Sequence, residues 1–308
     1  TVIENTSAGA VPTDQIAMKL GADGSVTVHS AAHAQGQGHE TTLAMLVAKV
    51  LQIAPERVIV RQGVNDPPII GNHTGGSRST VGAGSVSHLA ALKLIEEGKA
   101  LAALELKLEP SQVQYAKGEF KSKESKRVIK LADIAKAKTI RVTAEGKFGS
   151  TFPNGCHITE VEIDKETGAP KIVAYSAVDD CGVVLNPLIV HGQVYGGVAQ
   201  GIGQALTEDA IYDAESGQLL AGSFMDYGMP RAHHLSMIEA HFTDDQPCKT
   251  NDLGVKGAGE AGACGAPPAF VSAVCDALTP YGVKHIDMPL TPERVWTAIQ
   301  QAKAHKAA

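Results

Sequence analysis

The sequence predicts an α+β fold, with mixed sheets and packed helices arranged as two subdomains over residues 1–150 and 151–308. Short runs with alternating apolar side chains recur in both halves and read as strands. Longer stretches carry apolar residues along a single helical stripe. The 308 residues are 44% hydrophobic but only 4% aromatic, so the core must be built from Val, Ile, Leu and Ala. That length suits one large domain or two ordinary ones.

In chain order, residues 15–20 and 25–30 read as strands around the turn Gly21-Ala-Asp-Gly24, with Val26 and Val28 alternating against polar neighbours. His33-Ala-Gln-Gly-Gln-Gly-His39 leads into a helix whose stripe is Leu43, Leu46, Val47, Val50 and Leu51. Strand, glycine-rich turn and helix together present backbone N–H groups where anions bind. Gln37, between Gly36 and Gly38, has an amide that can donate and accept, and a polar loop residue is the alternative. A strand over 57–61 and an irregular loop over 66–80 precede a long helix over 81–106. Gly75, Gly76, Ser77, Arg78, Ser79 and Thr80 at its start make either an anion cradle or a simple N-cap loop.

Residues 107–150 carry a lysine-rich, solvated face and a short helix over 131–136. The run from Gly149 to Gly155 marks the crossing between the halves. Residues 157–163 and 171–178 form a hairpin about Asp164-Lys-Glu-Thr-Gly168. The stretch 189–206 is helical despite five glycines, each costing about 1 kcal/mol against alanine. Such a cost is kept where something approaches the backbone or where helices pack very closely; Gln200 lies among these glycines. Strand and turn return over 207–245, and Thr291 caps a last helix with Pro292 at its first position, fraying over 303–308.

The stretch from Gly254 to Pro268 surrounds one carboxylate, Glu260, with glycine and alanine. A carboxylate on such a loop, facing a ligand, is placed to act as a general base. Apolar residues at 270, 271, 274, 275 and 278 put a buried helix a few residues later, with Pro267 and Pro268 in its first turn. A tight turn with a solvated glutamate is the plain alternative. Residues 257–262 also match a dinucleotide fingerprint, but the lead-in is polar where that motif needs an apolar strand.

Net charge is −6 without a basic block, which argues against nucleic acid. No apolar run has the length of a membrane span, and no secretory leader opens the chain. Cys156, Cys181, Cys248, Cys264 and Cys275 are scattered and odd in number, fitting reduced thiols in a cytoplasmic compartment. No Cys-x-x-Cys signals an iron–sulfur cluster or structural zinc. His33 and His39 lack a third ligand and read as loop or cap residues.

Four loops in one order carry a resemblance. Gly36-Gln37-Gly38-x-x-Thr41, Gly76-Ser-Arg-Ser79, Asn186-Pro followed by Gly-Gln193-x-x-Gly-Gly-x-x-Gln200-Gly, and Lys256-Gly-x-Gly-Glu260 together resemble the molybdenum-binding subunits of the xanthine dehydrogenase/aldehyde oxidase family. Carbon monoxide dehydrogenase-like and nicotinate dehydrogenase-like branches belong to that family. The resemblance implies the C-terminal half of a molybdopterin-binding domain, with molybdenum held by a pterin dithiolene, as the cytosine dinucleotide, and no protein ligand to the metal. It implies cofactor binding by Gly36, Gln37, Gly38, Gly76, Ser77, Arg78, Ser79, Gln200, Lys256 and Gly257. Glu260 matches the family's base, taking a proton as water-derived oxygen is transferred to an aldehyde or N-heterocycle carbon, or to carbon monoxide. The implied partners are a chain carrying the N-terminal half of the molybdenum subunit, a 2Fe–2S subunit and an FAD subunit, since the Fe–S and FAD groups have no motif here. A non-catalytic paralogue and a nicotinamide-dependent oxidoreductase using Gly257–Gly262 are the competing functions.

Overall fold

A computed structural model describes residues 1–235 and 237–307. The chain starts with a short strand, β1 (Val2–Ile3). The strands β2 (Asp14–Leu20) and β3 (Val26–Ser30) pair antiparallel, with Met18 opposite Val28, on either side of the expected turn. Helix α1 (His39–Leu51) buries Leu43, Leu46, Val47 and Leu51 and crosses over to β4 (Val58–Gln62), which lies parallel to β3. A single π-helical turn, Thr80–Gly84, precedes α2 (Ser85–Leu106).

The lysine-rich stretch is more structured than the sequence suggests. The strands β5 (Gln114–Ala116), β6 (Glu119–Ser122) and β7 (Ser125–Lys130) form a small antiparallel sheet anchored by Phe120 and Ile129. Helix α3 (Leu131–Ala137) and β8 (Ile140–Gly146) follow, and β8 completes a sheet in the order β4-β3-β2-β8. One apolar core lies between this sheet and α1, α2 and α3, with Ile16, Leu20, Val28, Val47, Leu94 and Ile134 inside.

The second half repeats the scheme. The strands β9 (Asn154–Ile163) and β10 (Pro170–Asp180) form the expected hairpin, and β9 also pairs with β1. Helix α4 (Pro187–Leu206) crosses to β11 (Ile238–Thr243), which is parallel to β10. Helices α5 (Ala261–Ala277) and α6 (Pro292–Ala307) complete a second core with Tyr175, Val198, Ile202, Phe270, Val274 and Ile299. Thr291 caps α6, its Oγ1 accepting from the Arg294 N–H at 3.3 Å. The helix runs on to Ala307 rather than fraying from residue 303, and Ala308 lies outside the described residues.

The α+β class is as expected: two of the three sheets are mixed and the third is antiparallel. One boundary differs. Helix α5 begins at Ala261, so Pro267 and Pro268 lie in its interior and Glu260 is its N-cap residue. Small residues allow this: a Cβ on Gly201 of α4 would stand 2.8 Å from the Pro267 ring and 3.3 Å from the Ala263 carbonyl oxygen. Likewise a Cβ on Gly262 would meet the Val194 carbonyl oxygen at 2.6 Å. Gly201 and Gly262 therefore serve the close packing of α4 on α5, backbone against backbone.

Candidate functional site

Each half contains a strand–helix–parallel strand unit: β3-α1-β4 and β10-α4-β11. In such units ligands bind beyond the carboxyl ends of the strands, where the glycine-rich turns enter the helices. The two turns, one after Ser30 and one after Asp180, face a common cleft. Its volume is about 310 Å³, and its walls include Gln37, His39, Ser79, Thr80, Asn186, Ile189 and Glu260. These residues stand at the N-terminal ends of α1, the π turn before α2, α4 and α5. Four helix N-termini thus converge, each with backbone N–H groups unclaimed by its own helix and a partial positive charge.

Of the residues marked out in the sequence, Gln37, Gly76, Ser77, Arg78, Ser79, Lys256, Gly257 and Glu260 line the cleft. Gly36 and Gly38 flank it in left-handed backbone, φ 104° and 76°, which sets the turn before α1. The Gln37 Oε1 accepts from the Gln35 N–H at 2.5 Å, leaving the amide NH2 as the end that can reach a ligand. Gln200 is exposed and is not among the lining residues; Gln193, seven residues earlier and so on nearly the same face of α4, takes that place.

The two cations are not disposed as expected. The Arg78 guanidinium turns inward to a buried pair with Asp14, Nη2 to Oδ2 at 2.8 Å. Burial raises the Asp14 carboxyl, but Arg78 and the Asn72 N–H groups outweigh it and hold the group below its ordinary range. Lys256 is claimed by Asp180, with Nζ to Oδ2 at 2.5 Å. Each cation fastens a loop to the end of a strand, and neither stands out as an unpaired charge. The anion-binding capacity of the cleft comes instead from helix ends, turn N–H groups and amides.

Glu260 is exposed at the rim. Its backbone N–H donates to Ser77 Oγ at 3.0 Å, and the same hydroxyl donates to Glu260 Oε2 at 3.2 Å. Ser77 itself is a non-glycine residue in left-handed backbone, φ 55°. Gly257 lets the two loops touch, because a Cβ there would meet the Ser77 carbonyl oxygen at 2.4 Å. Thr151 ties in from behind: its Oγ1 accepts from the Gly257 N–H at 3.1 Å, and its N–H donates to Thr6 Oγ1 at 2.7 Å.

Several of these contacts escape sequence reasoning. Asp14, Asp180, Thr6 and Thr151 reach the site only through long-range folding. Glu4 sits behind Ser77, 6% exposed, with the Ser77 hydroxyl and the Glu260 carboxyl both acting on it. Gln193 stands in the quoted motif of α4, and its helical phase relative to Asn186 could have singled it out. The dinucleotide reading fails on topology. Val255 before Gly257–Gly262 makes only an isolated bridge to Gly182, so there is no strand to lead in. Among the described residues no helix is long and apolar enough to cross a membrane.

The chain is similar to several known proteins. The molybdopterin cofactor-binding domain matches residues 1–236. The chain is 36% identical to the gamma subunit of the 6-hydroxypseudooxynicotine dehydrogenase complex of Paenarthrobacter nicotinovorans, over 90% of this chain and 36% of that protein. It is 33% identical to the carbon monoxide dehydrogenase large chain of Hydrogenophaga pseudoflava, over 94% of this chain and 37% of the relative. Quinoline 2-oxidoreductase from Pseudomonas putida 86 superposes with a TM-score of 0.87 at 32% identity, covering 97% of this chain and 41% of that one. The chain therefore spans well under half the length of each of these relatives.

Proposed function

The chain belongs to the molybdopterin cofactor-binding domain family, and from that premise we propose that it forms one wall of the cofactor cleft in a multi-subunit molybdenum hydroxylase, with Glu260 as the general base. The observation that carries the reading is the convergence of four helix N-termini on one cleft with a single carboxylate at its rim. Those donors fit a long, polar, anionic pterin nucleotide, in the cytosine dinucleotide form. Backbone N–H groups at Gly76–Ser79 and at the start of α4 would grip phosphate, while the Gln37 NH2 would donate to the ligand and the Gln193 amide could donate or accept. When bound, the cofactor supplies the two-electron chemistry of C–H hydroxylation with water-derived oxygen.

The protein's own contribution is positional. Ser77 fixes the Glu260 backbone and one carboxylate oxygen, leaving Oε1 to take a proton from the reacting group. The α4–α5 contact holds the residue from below, so the base rests on a rigid helix end rather than on a mobile loop. The two subdomains, residues 1–150 and 151–308, each supply two of the four helix ends.

For substrate and partners, the resemblance and the names of the relatives support the following reading. The reading places the substrate among electron-poor N-heterocycles, aldehydes or carbon monoxide, and the electrons leave through a 2Fe–2S subunit and an FAD subunit. The complex is assigned to the cytoplasm, where five unpaired thiols are stable. The opposite wall of the cleft, in the part of the relatives this chain does not span, would cover the apolar side chains that lie bare here. Leu188 is 82% exposed, Phe224 81% and Met225 93%. The test is production of this chain with and without the polypeptide carrying the remaining portion, followed by metal analysis and dye-linked C–H oxidation. Molybdenum and turnover should appear only in the assembled pair. A chain that loads fully and turns over alone would refute the half-cleft reading.

A further inference from the structure

Asp179 and Asp180 end β10 and point to opposite faces of the sheet, as successive strand residues do. Asp180 reaches the loop before Glu260: its Oδ2 accepts from Lys256 Nζ, and the neighbouring Cys181 carbonyl accepts from the Lys256 N–H at 2.8 Å. Asp179 turns the other way and is 2% exposed. Its Oδ1 meets His157 Nε2 at 3.1 Å, and the other ring nitrogen, Nδ1, meets the Tyr175 hydroxyl at 2.7 Å. The register explains the meeting. His157 of β9 lies opposite Ala177 of β10, so Tyr175 and Asp179 are its two diagonal neighbours on that face. A carboxylate can only accept, so Nε2 donates to Asp179. Burial pushes the Tyr175 phenol up, so it stays a hydroxyl that can serve Nδ1 as donor or acceptor. The imidazole is thus held at both nitrogens, and it cannot turn without breaking a buried hydrogen bond.

Small residues make room for this ring and bring α5 down onto it. A Cβ on Gly155 would run into Asp179 Oδ1. Gly265 of α5 comes so near that a Cβ there would stand 2.6 Å from His157 Nδ1 and 2.7 Å from Cγ. The residue before it, Cys264, donates its N–H to the Glu260 carbonyl at 2.9 Å, the first hydrogen bond of the helix. Contacts therefore run without a break from the Asp179 carboxylate through the imidazole, Gly265 and the Cys264 N–H to Glu260. We propose that His157 and Asp179 are positioning residues for Glu260, fixing through α5 where its carboxylate stands at the cleft rim. The inference rests on Glu260 being the base. Two consecutive aspartates of one strand then hold both sides of Glu260: Asp180 takes the lead-in through Lys256, and Asp179 takes the helix through His157. Stability alone would not call for this arrangement. Asp179 Oδ2 is buried with no hydrogen-bond partner among the described residues, and apolar side chains of similar volume fill such a space at less cost. What the hydrogen-bonded ring adds is a fixed orientation for the surface on which α5 rests.

The test compares assembled complexes carrying His157→Leu, His157→Gln and Gly265→Ala, with turnover normalised to molybdenum content. Leucine keeps bulk but offers Asp179 no donor, whereas glutamine keeps a donor and an acceptor. His157→Leu should lose about 10- to 100-fold in kcat and in kcat/KM together, with KM little changed, the pattern of a displaced catalytic group. His157→Gln should recover most of that loss. Hydrogen–deuterium exchange gives a readout independent of turnover. In His157→Leu it should rise over residues 257–264 and stay at the wild-type level in α1. Wild-type kcat per molybdenum in His157→Leu, equal losses in the leucine and glutamine variants, or faster exchange spread over the whole chain would overturn the proposal. Each would leave His157 a packing residue. If His157→Leu does not assemble, Gly265→Ala decides, since it leaves the ring and its partners in place and drives a methyl group against them. It should show the same joint fall in kcat and kcat/KM, and unchanged turnover there would equally overturn the proposal. Unimpaired turnover in Glu260→Gln would instead defeat the base assignment, while exchange over residues 257–264 still reports whether the ring supports α5.

Discussion

Ser77 and Glu260, 183 residues apart, are joined twice through a single hydroxyl: Ser77 Oγ accepts from the Glu260 N–H at 3.0 Å and donates to Glu260 Oε2 at 3.2 Å. The contact crosses from the first half of the fold to the second and sets the direction of the carboxylate. Ser77→Ala should leave molybdenum content unchanged and lower kcat/KM roughly ten- to a hundredfold, the loss of about 1.5–3 kcal/mol from a charge-assisted hydrogen bond. Kinetics normalised to metal content will show it.

Glu260→Gln keeps the size and the N-cap position but removes the proton acceptor. Pterin and molybdenum should stay near wild type while turnover falls by several orders of magnitude, because general-base catalysis contributes about 10²–10⁴-fold and an amide cannot replace it. Single-turnover reduction of the loaded enzyme by substrate is the measurement, and retention of most of that rate would remove Glu260 from the role.

How far the sequence could be read depended on whether the determining contact was local. Periodicity is local, so β2, β3, α1, the β9–β10 hairpin and α4 follow from it. Glycine in a turn before a helix is also local, which is why Gln37, Ser77 and Glu260 were found together. The small sheet of β5, β6 and β7 was missed because each strand is short and only Phe120 and Ile129 are deeply buried among exposed lysines. The start of α5 was hidden by two prolines, whose place in the interior depends on the backbone of α4. Arg78 looks like a ligand-facing cation in the sequence because its partner, Asp14, lies 64 residues away. Glu4 stands in the Glu4-Asn-Thr stretch where the family resemblance begins, but nothing local marks its burial, which depends on the Gly76–Ser77 turn.

The amides can be ranked by position. Gln37→Ala and Gln193→Ala should each lower cofactor occupancy, since both line the cleft and each leaves a ligand atom unpaired at about 1–3 kcal/mol. Gln200→Ala, exposed and outside the lining, should have the smaller effect, as should Gln204→Ala. Molybdenum and nucleotide content of the four purified complexes gives the order directly. Equal losses in all four would mean that side-chain position on α4 is irrelevant.

The Asp14–Arg78 pair should appear as an acid limit on stability. The Asp14 carboxyl lies below its ordinary value of 3.8 in the folded chain. A depressed carboxylate contributes stability above its unfolded pKa, and that contribution disappears as pH falls through the folded value. Urea midpoints should therefore drop as pH is lowered from about 4 toward 2. The double variant Asp14→Asn with Arg78→Met should show a flatter limb. Arg78→Ala alone, which strands a buried carboxylate, should cost about 3–5 kcal/mol at pH 7.

The glycines of α4 divide into closely packed and open ones, and the open ones give the sharpest test of the half-cleft. A Cβ at Gly201 or Gly197 would collide with α5 and one at Gly203 with Glu208 and Pro230, whereas a Cβ at Gly192 or Gly196 meets nothing within 4 Å. Glycine inside a helix costs about 1 kcal/mol against alanine, so Gly196→Ala should stabilise α4 wherever that side is bare. In the assembled enzyme the same face would lie against the cofactor or the opposite wall, and the added methyl group would intrude. Gly196→Ala should thus raise the thermal midpoint of the chain produced alone by a few degrees and lower the molybdenum content of the assembled complex. Opposite signs from one substitution require something outside this chain to approach α4 closely. A variant that is stabilised in both states would show that this face stays open to solvent and that the second wall lies elsewhere.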